Sequence, residues 1–383
     1  MEGTASPVTD SAERWRQTRR VLNANRQALA ALAARLHGDG PRVASTDLLG
    51  RPDWIPAGPL DLADLALGWV AEPPPAADGS APGAAHVLPR QAAGGTYPTY
   101  AAAIAALDRP ALFENRVCYR LLDATLAGAP RLSLTRARYF DSMNLGHAVA
   151  HELAAAWTAR GGSVSLADLP LRSSVADPCE LRRRSAITAV TTLTLRRAPG
   201  GAASFLLHWR DPAKVNHAGG LYQVMPAGIF QPVTDAPAAQ RSDLSLWRCM
   251  TREFSEELLG GSEDYPTRDG VLDYGQWPFY RQLAAAREAG TLRVSCLGLG
   301  VDPLTLATDI LTVAVFDSDV FDQLFRDLVT LNAEGRVITE GGSAAIPFTV
   351  GTVDRLTSGS EPMQTAGAAL LRLAWQHRRA LLT

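Results

Sequence analysis

Residues 251–260 read TREFSEELLG, three glutamates and an arginine in ten positions of an otherwise alanine-rich chain. The pattern predicts a helix from about Ser242 to Leu259, stopped at Gly260 and Gly261, because glycine suits the left-handed residue that ends helices. On that helix Glu253, Glu256 and Glu257 stand at i, i+3 and i+4 and share a face. Carboxylates held so closely repel one another, so water must bathe them or a cation must neutralise them. Trp247, Met250, Phe254 and Leu258 recur on a neighbouring face and are placed to anchor the helix in a core. Arg252, four residues before Glu256, is placed to pair with it. Spacing alone leaves two readings open. One is a solvated acidic face. The other is an oxygen-only ligand set for Mg²⁺ or Mn²⁺, hard ions that keep several waters and take further ligands from a phosphate.

Both flanks of this helix are rich in strand signals. Residues 185–211, SAITAVTTLTLRRAPGGAASFLLHWRD, are two β-rich runs around a Pro-Gly-Gly turn, a hairpin pattern. Residues 219–232, GGLYQVMPAGIFQP, read as a strand followed by a turn bearing Gly and Pro. Downstream, 292–302 (LRVSCLGLGVD) and 310–317 (ILTVAVFD) are further strands, and 362–382 (PMQTAGAALLRLAWQHRRALL) is a C-terminal helix.

The first half has a different texture. Apolar residues at helical spacing predict one amphipathic helix over 12–37, and its arginines (Arg14, Arg16, Arg19, Arg20) read as a solvated face. Residues 71–96 are rich in Pro, Gly and Ala and read as a long loop. Helical pattern returns over 99–128, broken by Pro110, and over 142–162. His147 and His151 lie four apart there, but Glu152 follows the second histidine, so the H-E-x-x-H order of a zinc site is missing and helix packing is the reading. The fold class is therefore α+β, with a mostly helical domain over 1–175 and a second domain over 176–383.

At 383 residues the length suits two domains. A formal net charge of −2 asks for neither nucleic acid nor an anionic membrane, and the arginine-rich first helix has no helix-turn-helix partner. Cys118, Cys179, Cys249 and Cys296 are too scattered for a zinc site or a disulfide framework. With no apolar leader and no run of eighteen apolar residues, a cytoplasmic protein with reduced thiols is expected.

REFSEELLG resembles the core of the Nudix box, whose usual form is G-x5-E-x7-R-E-U-x-E-E-x-G-U with U a bulky apolar residue. Arg252, Glu253, Phe254, Glu256 and Glu257 match R, E, U, E and E. The preceding YQVMPAGIFQP resembles the strand and turn that lead into the box, with Gly228 as its opening glycine. Counted strictly back from Arg252, the glycine position falls on Ala238 and the first glutamate on Leu244, so the loop VTDAPAAQRSD (233–243) is read as an insertion. Leu259 stands at the later glycine, with Gly260 one place on.

The resemblance covers roughly residues 185–383 and implies an α/β/α sandwich. It further implies metal-dependent hydrolysis of a nucleoside diphosphate linked to another moiety X. Mg²⁺ or Mn²⁺ is then held by Glu253, Glu256 and Glu257, with Arg252 in the same catalytic set. Glu340, among glycines in 336–348, is the candidate base from a later loop. Arg210, Lys214, His217 and Gly228 are the candidate substrate contacts. The N-terminal domain is placed to cap the site, and a homodimer is the family's frequent assembly. The alternative is a Nudix-like nucleotide or metabolite sensor without turnover.

Overall fold

A computed structural model describes residues 7–38, 40–80, 82–110, 112–211, 219–329, 335–338 and 345–383. Lys214, His217 and Glu340 lie outside the described residues.

The single helix expected over 12–37 is two, α1 (Pro7–Ala24) and α2 (Arg26–Leu36). The break falls at Asn25, whose side-chain amide donates to the Val21 carbonyl at 2.8 Å. Such local competition for the backbone is what makes asparagine a poor helix-interior residue. Next come β1 (Leu60–Asp61), β2 (Ala66–Trp69), α3 (Tyr100–Leu107), β3 (Val117–Thr125), β4 (Arg131–Arg138), α4 (Tyr139–Ala159) and α5 (Pro170–Val175). Helices predominate in this half, yet β2, β4 and β3 form a three-stranded sheet in that order. The helical pattern read over 99–128 holds only as far as Leu107. Residues 117–122 are all buried, and a run buried on both faces carries no period by which to tell strand from helix. The Pro/Ala-rich stretch 71–96 contains no helix beyond the three-residue turn Ala85–Val87 among its described residues.

Helix α4 fulfils the pattern at 142–162, and its histidines pack as read. The Tyr100 hydroxyl lies 3.0 Å from His151 Nδ1, and the His151 ring stacks on Trp15 at 5.9 Å. Burial pushes His151 down to about 3, so it is neutral across the physiological range.

The second half contains β5 (Thr188–Arg197), β6 (Ala203–Phe205), β7 (Leu207–Arg210), β8 (Tyr222–Val224), β9 (Ala227–Ile229), α6 (Pro237–Ser242) and α7 (Leu246–Glu253). It continues with β10 (Thr267–Arg268), β11 (Val271–Leu272), α8 (Pro278–Glu288), β12 (Leu292–Val301), β13 (Thr308–Asp317) and α9 (Ser318–Leu324). The last elements are β14 (Gly335–Val337), β15 (Ile346–Pro347), α10 (Val350–Thr357), α11 (Thr365–Gln376) and α12 (Arg378–Leu382). The main sheet runs β1-β12-β13-β5-β6-β15, with β9 also paired to β5. Only β13 and β5 run parallel in it. The expected hairpin is present as β5 and β6, in register at Leu195 and Phe205. A smaller sheet, β14-β7-β8, stands beside it.

Alternation along β5 and β13 divides the core into two layers. Val190, Ile310, Ala314 and Phe316 join one apolar cluster with Met250 and Phe254 of the carboxylate helix. Leu193, Leu195, Leu311 and Val313 join another with Leu370 and Leu373 of α11. The result is a helix–sheet–helix sandwich with α7 and α11 on opposite faces. Trp15, Trp54, Tyr119 and Leu145, all before residue 175, enter the same cluster as Phe254, and β1 is an edge strand of the main sheet. The first half is thus packed into the sandwich. All four cysteines are free and buried, and no described helix is long and apolar enough to cross a membrane.

Candidate active site

The helix expected from Ser242 to Leu259 begins later, at Leu246, and is built from two pieces, with a separate short helix before it. Residues read as an insertion loop fold in part into α6, whose first residue is Pro237, a position where its missing N–H costs nothing. Ser245 then caps α7, its side chain accepting from the Arg248 N–H at 3.3 Å. From Phe254 to Leu258 the chain winds as one wider π turn. Phe254 is fully buried and wedged between Phe316 (5.6 Å) and Phe325 (5.8 Å), which fixes the start of that turn. An i→i+5 turn breaks the i, i+3, i+4 alignment of an ordinary helix, and such turns recur at functional sites.

The carboxylates accordingly divide. Glu257 Oε1 accepts the Ala227 N–H at 2.9 Å. The Glu253 carboxyl group lies directly on Gly228, where an added Cβ would stand 1.9 Å from its Cδ and 2.0 Å from each oxygen. The two side chains therefore meet adjacent residues of β9, and glycine at 228 permits the close approach of Glu253. Glu256 turns elsewhere and accepts the Tyr265 hydroxyl at 2.6 Å. Among the described residues no group of three or more His, Cys, Asp or Glu is arranged to hold a metal ion. The donor chemistry nevertheless fits a hard cation. Mg²⁺ commonly uses one or two carboxylates and fills the rest of its octahedron with water and substrate phosphate, and Glu253 with Glu257 supplies such a pair.

Burial pushes Glu256 up to about 7, with the Tyr265 hydrogen bond working in the opposite direction. A carboxyl group raised above its ordinary 4.5 keeps its proton in the fold after the unfolded chain has lost it. Its contribution to stability is therefore fully present below about pH 4.5 and is lost as pH rises through about 7. Glu256→Gln is expected to flatten that part of the stability–pH curve. Asp309, also raised to about 7 by burial, contributes the same slope to both proteins and drops out of the comparison. Urea midpoints between pH 4 and 8 with the same slope in both proteins would count against this.

Arg252 does not pair with Glu256. Its Nη2 donates to the Gln231 carbonyl at 2.5 Å, its Nη1 bonds the Tyr274 hydroxyl, and Asp243 Oδ1 lies 3.8 Å away. The Tyr274 hydroxyl donates to Asp243 Oδ1 at 2.9 Å, and Asp243 Oδ2 accepts the Val233 N–H at 2.7 Å. The correction has a plain cause. Arg252 is buried, and a buried guanidinium must satisfy its donors inside the protein. Counting back from Arg252 finds Leu244 where the box has its first glutamate, but the buried acid is Asp243, one residue earlier. That acid, Tyr265 and Tyr274 are the site residues that sequence reasoning missed. An acid next to the counted position was the only local signal for any of them.

Arg210 ends β7, and its charge acts on Arg26 and Asp309, which belong to the α11 side of the sheet. The candidate contacts Lys214 and His217 and the candidate base Glu340 fall outside the described residues.

Strand β9, its glycine and the carboxylate helix follow one another in the order of the box, on one face of a helix–sheet–helix sandwich. No family model and no curated protein matches the chain. Among solved structures, the Nudix hydrolase RenU from M. smegmatis is similar over 51% of this chain and 88% of its own, at 15% identity and a TM-score of 0.23. A Nudix hydrolase from Alicyclobacillus acidocaldarius is similar over 51% of this chain and 91% of its own, at 16% identity and a TM-score of 0.27. What the site can do is decided by its own residues.

Proposed function

We propose that the chain is a Nudix-type hydrolase that cleaves a diphosphate linkage in a small nucleoside diphosphate-X molecule. Glu253 and Glu257 would hold Mg²⁺ or Mn²⁺. The observation that carries the reading is the meeting of these two carboxylates on the Ala227–Gly228 backbone, inside the Arg-Glu-Phe-x-Glu-Glu order. When bound, the cation neutralises diphosphate charge and lowers the pKa of a coordinated water. The chain's own contribution is placement. The Ala227 N–H orients Glu257, and the bare backbone of Gly228 leaves room for Glu253. Arg252, locked by Asp243 and Tyr274, fixes the end of α7, which carries Glu253 and leads into the turn that carries Glu257. Glu340 is the proposed base from the later loop.

Gly228→Ala tests the placement. Its methyl group must displace only the flexible end of Glu253, so stability is expected to fall by less than about 1 kcal/mol. The Mn²⁺ concentration giving half-saturation is expected to rise roughly tenfold, the scale seen when support for a ligand is lost. Paramagnetic titration reads the second quantity and chemical denaturation the first. Unchanged Mn²⁺ affinity would refute the assignment of Glu253.

One observation favours the sensor reading: Glu256 is committed to Tyr265. The deciding experiment is a screen of ADP-ribose, dinucleotides, nucleotide sugars and coenzyme-like diphosphates with Mg²⁺ or Mn²⁺, following release of monophosphate. Turnover by the wild type and its loss in Glu253→Gln support the hydrolase. A diphosphate that raises the melting temperature without being cleaved supports the sensor.

A further inference from the structure

A cavity of about 710 Å³ opens on the side of the sheet opposite α7, in the size range of small-molecule sites. Its walls come from both halves of the chain: Arg26 and Gln27 on α2, Arg42 and Ser45 just after it, and Thr365 and Arg372 on α11. Glu253, Glu256 and Glu257 do not line it. The walls are tied across the sequence, since Gln27 Nε2 donates to the carbonyls of Gly359 (2.8 Å) and Glu361 (3.0 Å).

The lining carries three arginines (Arg26, Arg42, Arg372) against three acids (Asp47, Asp302, Glu361), and the bonding leaves spare donors on Arg372. Among its acids, Asp302 is saturated. Its Oδ1 accepts the N–H groups of Leu304 (3.1 Å) and Thr305 (2.8 Å) and the Thr305 hydroxyl (2.8 Å), and its Oδ2 accepts the Thr365 hydroxyl (2.7 Å). Glu361 pairs with Arg355 at 3.2 Å, and Asp47 is exposed. Arg42 and Arg372, by contrast, bond to neutral acceptors. Arg42 donates to the carbonyls of Ala34 (2.6 Å), Gly38 (2.8 Å) and Gly40 (3.3 Å). Arg372 uses Nε on the Thr357 hydroxyl at 2.9 Å, and its two terminal amines make no hydrogen bond among the described residues. Burial lowers Arg26 only to about 10, so it is still charged at neutral pH. Hydroxyls of Ser45, Thr46 and Ser358 share the lining.

Backbone strain gathers at the same place. Five non-glycine residues have positive φ among the described residues. Ser45 (58°) lines the cavity, while Ala44 (48°) and Leu306 (61°) adjoin lining residues. Strain of this kind clusters at ligand clamps and is held by the surrounding structure.

We propose that this cavity binds a phosphomonoester of a hydroxylated small molecule, a sugar phosphate or nucleoside monophosphate. The forked guanidinium of Arg372 meets the phosphate, and the serine and threonine hydroxyls meet the polyol. The site lies across the sheet from the carboxylates and does not depend on their chemistry.

Calorimetric titration of the full chain with AMP and ribose 5-phosphate, against adenosine, ribose and inorganic phosphate, tests this. Binding is expected from at least one phosphorylated polyol and from neither phosphate-free control. Arg372→Gln is expected to weaken it about tenfold or more, the cost of a lost charge-assisted bond. Ala368→Phe, which projects a ring into the cavity from α11, is expected to abolish it with the melting temperature retained. Glu253→Gln should leave it unchanged. The proposal is overturned if neither phosphorylated compound binds at millimolar concentration, or if binding survives both cavity variants. It is also overturned if Glu253→Gln removes binding, or if inorganic phosphate binds as tightly as the esters.

Discussion

Glu257→Gln is expected to lower turnover roughly 10²–10³-fold, the scale of losing one preorganised electrostatic group, with little change in melting temperature. The substitution keeps the shape of the side chain, and its amide oxygen can still accept the Ala227 N–H. What disappears is the negative charge that would hold the cation. Glu253→Gln should behave alike, because its carboxyl group lies against the neighbouring residue of β9. Glu256→Gln should cost much less, since Glu256 is committed to the Tyr265 hydroxyl and faces away from β9. Steady-state rates with the substrate found by the diphosphate screen, measured over a range of Mg²⁺, check the ranking. If Glu256→Gln were the most damaging and the other two near wild type, the two-carboxylate site would be wrong.

The largest effect on stability is expected at Arg252. Arg252→Met leaves Asp243 buried without its cation, and breaking a buried pair from one side costs roughly 3–5 kcal/mol. The Tyr274 hydroxyl and the Gln231 carbonyl lose a donor at the same time. Removing both charges, as in Arg252→Met with Asp243→Leu, should recover part of the loss, because the uncompensated charge goes too. The double-mutant cycle should therefore show a coupling well outside additivity. Urea denaturation of the four proteins measures it. Additive losses would mean that the two residues act independently and that the 3.8 Å separation carries no energy.

The Arg252 network also shows where sequence patterns stop being informative. An arginine four residues before a glutamate on a helix is a sound local pairing rule, but it presumes both side chains reach water. Here the arginine faces inward, and its partners come from residues 231, 243 and 274, brought together by the fold. The π turn has the same origin. Phe254 is placed by Phe316 and Phe325, rings more than sixty positions later in the chain. Its wider winding sends Glu256 to Tyr265, leaving Glu253 and Glu257 on β9.

The sequence alone determined the hairpin of β5 and β6, strands β12 and β13, helix α11, and the order of Gly228, Arg252 and the three glutamates. Each of these rests on neighbours: alternation, turn residues, and a short motif. Only the tertiary structure decided that β3 is a strand, that Asp243 is the acid beside Arg252, and that residues from the first half share a core with Phe254. Periodicity records which face of a segment is buried. It does not record what that face is buried against, and partners far apart in the chain are chosen by packing.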